Sequence, residues 1–187
     1  MIKPVIKTTT KVVIGPCRLC YVHVFNKYNP DGAASEGKYM ANILIPKNEK
    51  ETIKAIEKAI AAAKETAIIS KWGGKDPKKL DLPLRDGDEK EDPAFENCFY
   101  LNARSNTRPG VVDRQGHPIT DEEEIYSGVY ALTSITFYGY EVSGNRGIAV
   151  GLDNIMKFKD GERLGGRASA ESDFGGIEFD DDDDDEL

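Results

Sequence analysis

The sequence predicts a mainly β fold with one helix, either a five-stranded barrel of the OB type or another sheet covered by a single helix. Three observations carry this. Several stretches alternate apolar and polar residues with the period of a strand. Only one stretch has the spacing of a long amphipathic helix. The order is two strands, a helix, then three or four strands, so the helix lies between early and late strands. Periodicity alone does not choose between the two architectures.

In "RLCYVHVF" (18–25) one alternating set is Leu19, Tyr21, His23 and Phe25, and the other is Arg18, Cys20, Val22 and Val24. That is a long strand buried on at least one face. Asn29-Pro30-Asp31-Gly32 marks a turn before "KYMANILIP" (38–46), a strand stopped by Pro46. The helix follows over 48–70. Asn48 is placed to cap it, with Glu51 three residues on as in a capping box. Ile53, Ile56, Ile60, Ala63 and Ala67 lay a stripe along one face. Residues 71–94 are a long polar connection, of the kind that is functional or mobile. "FENCFYLNAR" (95–104) is the next strand, and 105–118 reads as a turn, a short strand and another turn. "YSGVYALTSITFYGYE" (126–141) is the longest strand signal, and "IAVGLDNIMKF" (148–158) is the last.

The formal charge of −8 hides an asymmetry. Residues 171–187 hold ten acids and no base, which leaves 23 acids against 25 bases in residues 1–170. A mildly basic body with an acidic tail suggests nucleic-acid or partner interaction. The division expected is a binding domain over 1–170 and a disordered tail over 171–187. Three cysteines without a framework pattern fit a reducing cytoplasm. No stretch reaches the roughly 18 apolar residues of a membrane span, and "MIKPVIKTTTK" lacks the apolar core of a signal peptide.

Catalysis has no evident actors, so no catalytic residue and no cofactor is assigned. His23 alternates with apolar residues and reads as a packed strand residue. His117 sits in a Gly-His-Pro turn. There is no phosphate loop and no nucleophile elbow. Cys17, Cys20 and His23, with Cys98, have the residue types for zinc. An odd spacing, however, puts Cys17 and Cys20 on opposite strand faces, and no metal is assigned. The acids of "RDGDEKED" (85–92) lack the full spacing of a calcium loop.

Nucleic-acid binding accumulates support instead. Single strands are held by bases stacking on rings and by cations tracking phosphates. On 95–104, Phe95, Phe99, Leu101 and Ala103 suit a core, while Tyr100, Asn102 and Arg104 share the other face. On 126–141, Val129, Ala131, Ile135 and Phe137 form the core set, with Tyr130, Tyr138 and Tyr140 opposite. Flanking loops supply Lys71, Trp72, Lys75, Lys78, Lys79, Arg108, Arg114 and Arg146. The tyrosines could equally cover a second hydrophobic layer. Stacking is expected at Tyr100, Tyr138, Tyr140 and Trp72, and phosphate contact at Lys71, Arg104, Arg108 and Arg146.

The stretches "WGG", "LPLRDGD", "RPGVVD", "YSGVYALTSITFYGYEVSGNRGIAVGLDNI" and "KDGERLGGRASAESDF" cover most of residues 70–175. On these the chain resembles the single-stranded DNA-binding proteins of tailed bacteriophages. The resemblance implies an OB-fold core, sequence-tolerant binding of single strands, and roles in phage DNA replication, recombination or repair. It also implies a disordered acidic tail that recruits phage or host replication proteins (polymerase, helicase, primase) and competes with DNA. That tail maps onto Phe179, Asp180, Asp181, Asp182, Asp183, Asp184, Asp185, Glu186 and Leu187. Many such tails end in phenylalanine; this sequence ends in Leu187, with Phe174 and Phe179 before the acids. Two rival readings are an OB-like protein–protein adaptor and a metal-dependent nuclease using the acids of 85–92.

Overall fold

The computed structural model describes residues 1–30 and 36–165. These form strands β1 (Val5–Ile6), β2 (Lys11–Tyr28) and β3 (Lys38–Pro46), helix α1 (Lys50–Ser70), then β4 (Arg85–Asp86), β5 (Cys98–Ser105), β6 (Gly110–Val112), β7 (Tyr130–Val142) and β8 (Asn145–Lys159). The strand order is β4-β5-β3-β2-β7-β8-β6, with β1 beside β2. Parallel pairing of β5 with β8, Ala103 beside Val150 and Arg104 beside Gly151, closes β2, β3, β5, β8 and β7 into a barrel. All other barrel pairings are antiparallel. This is the closed five-stranded barrel of the OB type, and α1 lies between its second and third strands.

Alternation sets the two faces of each barrel strand. Val12, Ile14, Leu19, Ile43, Ile45, Leu101, Ile135, Phe137, Val150 and Leu152 point inward and are buried. Burying a side chain of this kind is worth about 1.5–3 kcal/mol. Helix α1 covers one end of the barrel with Ile53, Ile56, Ala59, Ala63 and Ala67. The small residues let its second half come close to β7. A Cβ on Gly139 would fall 2.2 Å from the Ala67 Cβ, so only glycine fits there. Asn48 does not cap the helix, contrary to the capping-box expectation. Glu49 donates its N–H to the Pro46 carbonyl in a tight turn, takes the N-cap position itself, and no side chain caps.

The connection over 71–94 is built into the body. Lys71 and Trp72 both donate their N–H to the Ala67 carbonyl, and Gly73 and Gly74 then turn the chain at φ +63° and +77°, values that favour glycine. This tucks Trp72 under the helix end, where it is 2% exposed. Asp81 forms a bridge with Gly147 of β8, and Arg85–Asp86 pairs with β5. Three of the five acids of 85–92, Asp86, Asp88 and Asp92, are already engaged. The Lys47 ammonium meets Asp86 and Asp88 at 2.6 Å each. Asp88 also accepts the Asn97 N–H, and Asp92 accepts the Ala94 N–H. Lys47 holds both Asp86 and Asp88 below the usual carboxylate range.

A second apolar cluster lies outside the barrel: Cys20, Leu44, Phe95 and Tyr100. Phe95 belongs here, not to the core expected of it. It sits in a short 3-10 turn (Pro93–Phe95) before β5 begins at Cys98, so strand parity does not reach it. Cys17 is in the barrel core and Cys20 in this outer cluster, on opposite faces. Among the described residues no helix is long and apolar enough to cross a membrane. Among them, too, no group of three or more His, Cys, Asp or Glu is placed to hold a metal.

Candidate nucleic-acid interface

The outer faces of β5, β8 and β7 meet over the barrel's closing seam. There they form an open groove of about 480 Å³, lined by Lys38, Asp81, Pro83, Arg85, Asn102, Arg104, Tyr138, Tyr140, Val142 and Ala149. Its floor is the outer face of β8. Gly147 and Ala149 stand opposite Tyr140 and Tyr138 in the register. A Cβ on Gly147 would come within 2.6 Å of the Tyr140 ring, so the missing side chain is what lets that ring lie flat on the strand.

Two rings with different freedom result. Tyr138 is 44% exposed, and no hydrogen bond of its hydroxyl is found among the described residues. Tyr140 is half-buried and fixed at both ends. Its hydroxyl donates to Asp81 Oδ2 at 2.8 Å, and its carbonyl accepts from Trp72 Nε1 at 3.2 Å. The bond to Asp81 and burial both raise its phenol. Asp81 is also met by Arg85 at 3.3 Å. Opposite the rings, Arg104 is exposed and its Nε donates to Asn102 Oδ1 at 3.3 Å. Lys38 and Arg85 add charge at the rim. The groove thus offers two rings at strand spacing, an amide and three cations, one of which, Arg85, is paired with Asp81.

Of the residues expected from sequence, Asn102, Arg104, Tyr138 and Tyr140 come together. The others do not. Trp72 is in the core and has no face free for a base, so its expected stacking role is corrected: the helix-ending turn, not the basic loop around it, decides its place. Tyr100 is 9% exposed and packs edge-on against Phe95, centroids 5.2 Å apart. Tyr130 is eight residues from Tyr138 along β7, about 26 Å away, with Lys159 over its ring. Arg146 pairs with Glu141 at 3.2 Å, on the strand face opposite Tyr140. Lys71 and Lys75 are exposed beyond the helix and do not line the groove. Arg108 rests over Phe25 at 5.2 Å from its centroid. Phe179 to Leu187, and Phe174, lie outside the described residues. Lys38 and Arg85 were not expected. Lys38 opens a strand, and the two-residue β4 that carries Arg85 is too short for any periodicity.

His23 stacks on Tyr28 at 4.6 Å, and burial lowers its pKa. His117 is exposed beside Asp113 at 3.3 Å. Neither reaches the groove.

A closed five-stranded barrel of this connectivity defines an OB-fold module, a class that binds oligonucleotides and oligosaccharides on the face of its second and third strands, here β3 and β5, and on the adjoining loops. The groove meets that face at β5. Over residues 10–187 the sequence matches the family model described as the single-stranded DNA-binding protein of Enterobacter phage Enc34, and the chain belongs to that family. It is a family of binding proteins, not of enzymes. A curated protein of Acyrthosiphon pisum secondary endosymbiont phage 1, named p50, is 34% identical over 183 residues, covering 91% of this chain and 93% of that one. The structure of the bacteriophage Enc34 single-stranded DNA-binding protein in complex with single-stranded DNA superposes with a TM-score of 0.73 at 26% identity. It covers 87% of this chain and 97% of that one. The single-stranded DNA-binding protein encoded by bacteriophage T7 shares the fold, with a TM-score of 0.55 at 15% identity over 86% of this chain and 92% of that one.

Proposed function

We propose that the protein binds single-stranded DNA without sequence preference, in phage DNA replication, recombination or repair in the host cytoplasm. The observation that carries this is the meeting of Tyr138 and Tyr140 with Asn102 and Arg104 across the small-residue floor of β8. Rings accept any base by stacking, while Arg104, Arg85 and Lys38 meet phosphates. Membership of the Enc34 family supports the same ligand. Three phosphate contacts at about 0.7 each give a slope of log affinity against log salt of roughly −2 for single strands. Titrating an oligothymidine by fluorescence anisotropy at several salt concentrations tests this. No binding, or binding indifferent to salt, overturns the reading.

The domain that binds is taken as residues 1–170, and residues 171–187 as a separate acidic segment. Its ten acids resemble a short phosphate backbone to a cationic groove. In this reading the segment competes with DNA and, once displaced, recruits phage or host polymerase, helicase or primase. A chain stopped after residue 170 is expected to bind oligothymidine more tightly than the full chain. The gain should be largest at low salt, where screening is weakest. Equal affinities of the two chains at low salt would reduce the segment to a solubility role.

A further inference from the structure

One exposed ring outside the groove has no assigned role. Tyr21 is 49% exposed at a bulge in β2, where the register with β3 shifts between Cys20 and His23. Its φ is +49°, a left-handed value that a bulky residue rarely adopts. The ring is held from beneath. Phe95 lies 6.2 Å away, centroid to centroid, and the Tyr21 hydroxyl donates to Asp92 Oδ2 at 3.2 Å. The Lys90 ammonium sits 5.2 Å from the Tyr21 centroid, 4.2 Å from that of Phe95 and 5.0 Å from that of Tyr100. Asp88, Glu89, Glu91 and Asp92 surround Lys90 in sequence. Even so, among the described residues no carboxylate closes an ion pair with it, and its charge rests on rings. A pocket of about 340 Å³ opens beside Tyr21, between Asp92, Ala94, Ser127 and Leu164.

The groove leads toward this place. Asn102 of β5 stands opposite Asn42 of β3, and Asn42 opposite Cys20 of β2, so one rung of the sheet runs from the groove to the bulge. Two strand spacings make that about 10 Å. The rung carries two asparagines before it enters the outer apolar cluster at Cys20, and the Asn42 side-chain carbonyl is buried with no protein partner among the described residues.

We propose that Tyr21, with its adjoining pocket, is a second nucleobase subsite. A single strand leaving the groove crosses β3, stacks a base on the outer face of Tyr21 and brings a phosphate to Lys90. The inference rests on the groove reading and extends the track from β5, β7 and β8 onto β2. The strained backbone is accounted for, because it is what turns the ring outward. It also supplies the variant for the test. Asparagine tolerates left-handed φ, so Tyr21→Asn removes the ring and keeps the bulge.

The experiment compares two oligothymidines, one of about 4 and one of about 12 nucleotides, within the range of OB-fold site sizes. Full-length wild type, Tyr21→Asn, Lys90→Met and Tyr138→Ala are titrated with each. Tyr138→Ala should weaken both. Tyr21→Asn should weaken the longer strand roughly fivefold or more, the lower end for one stacked base, and leave the shorter one unchanged. Lys90→Met keeps its packing on the rings and should lower the salt slope for the longer strand by about 0.7. Unchanged affinity of Tyr21→Asn for the longer strand, with Tyr138→Ala weakened, overturns the second subsite and leaves the groove standing. Equal weakening of both strands by Tyr21→Asn overturns it as an extension. Failure of wild type to bind either strand overturns the groove reading and this extension with it.

Discussion

Trp72→Ala is expected to destabilise the protein by about 3–5 kcal/mol, the range for truncating a large buried aromatic. The only tryptophan is 2% exposed and sits under the end of α1. Its ring edge lies 3.4 Å from where a Gly139 Cβ would be. Removing it leaves a cavity and also deprives the Tyr140 carbonyl of its donor. Urea unfolding measures the loss as a lower midpoint at unchanged slope. Trp72→Phe should recover most of the packing while forfeiting the N–H, at a cost near 1 kcal/mol. The pair separates two roles for one residue. A base-stacking tryptophan would lose affinity on truncation and keep its stability. A variant that unfolds at the wild-type urea concentration would contradict the buried placement.

The second large effect is on binding. Tyr138→Ala combined with Arg104→Ala should weaken oligothymidine binding by roughly 70-fold to 25,000-fold if the two losses add, since a stacked base contributes about 1–3 kcal/mol and a charge-assisted contact about 1.5–3 kcal/mol. The two side chains face one groove from β7 and β5, so their losses need not add. Both are at the surface, and neither change opens a core cavity. Tyr130→Ala is the matched control. It is a tyrosine on the same face of the same strand, but at the far end, and its truncation should leave affinity within twofold. Equal losses at Tyr130 and Tyr138 would show that the rings act through stability and not by stacking.

Much of the fold was legible because its elements carry local periodicity. The strand over 38–46 has the expected bounds, and α1 starts two residues late only because Glu49 turns back onto Pro46. β2 runs further at both ends than 18–25, since its flanks pair with β7 and β3 through contacts that no local pattern records. The segment before β7 reads as strand by composition but turns, with Val129 donating to the Tyr126 carbonyl. For the groove, strand parity placed Tyr138, Tyr140, Asn102 and Arg104 correctly on one face. Parity says nothing about which strands become neighbours. Tyr100 and Tyr130 therefore pass the same test as Tyr138, although one is covered by Phe95 and the other lies at the far end of β7 from the groove. The basic loop around Trp72 points to an exposed ring, but the helix-ending turn overrides the polarity of its sequence neighbours and buries it. Lys38 and Arg85 reach the groove only through closure of the barrel.

That closure rests on two residue pairs, Ala103 with Val150 and Arg104 with Gly151, while β7 and β8 pair along nearly their whole length. The barrel is thus a curled ribbon with one short join, and the groove lies directly over the join. A strand bound there touches β5 on one side and β7 with β8 on the other. Whatever free energy it gains on binding is added to that of keeping the two edges together. On the proposed reading ligand and barrel are mutual clamps: nucleic acid in the groove would lace shut the container that displays it, and each strand released would loosen the join.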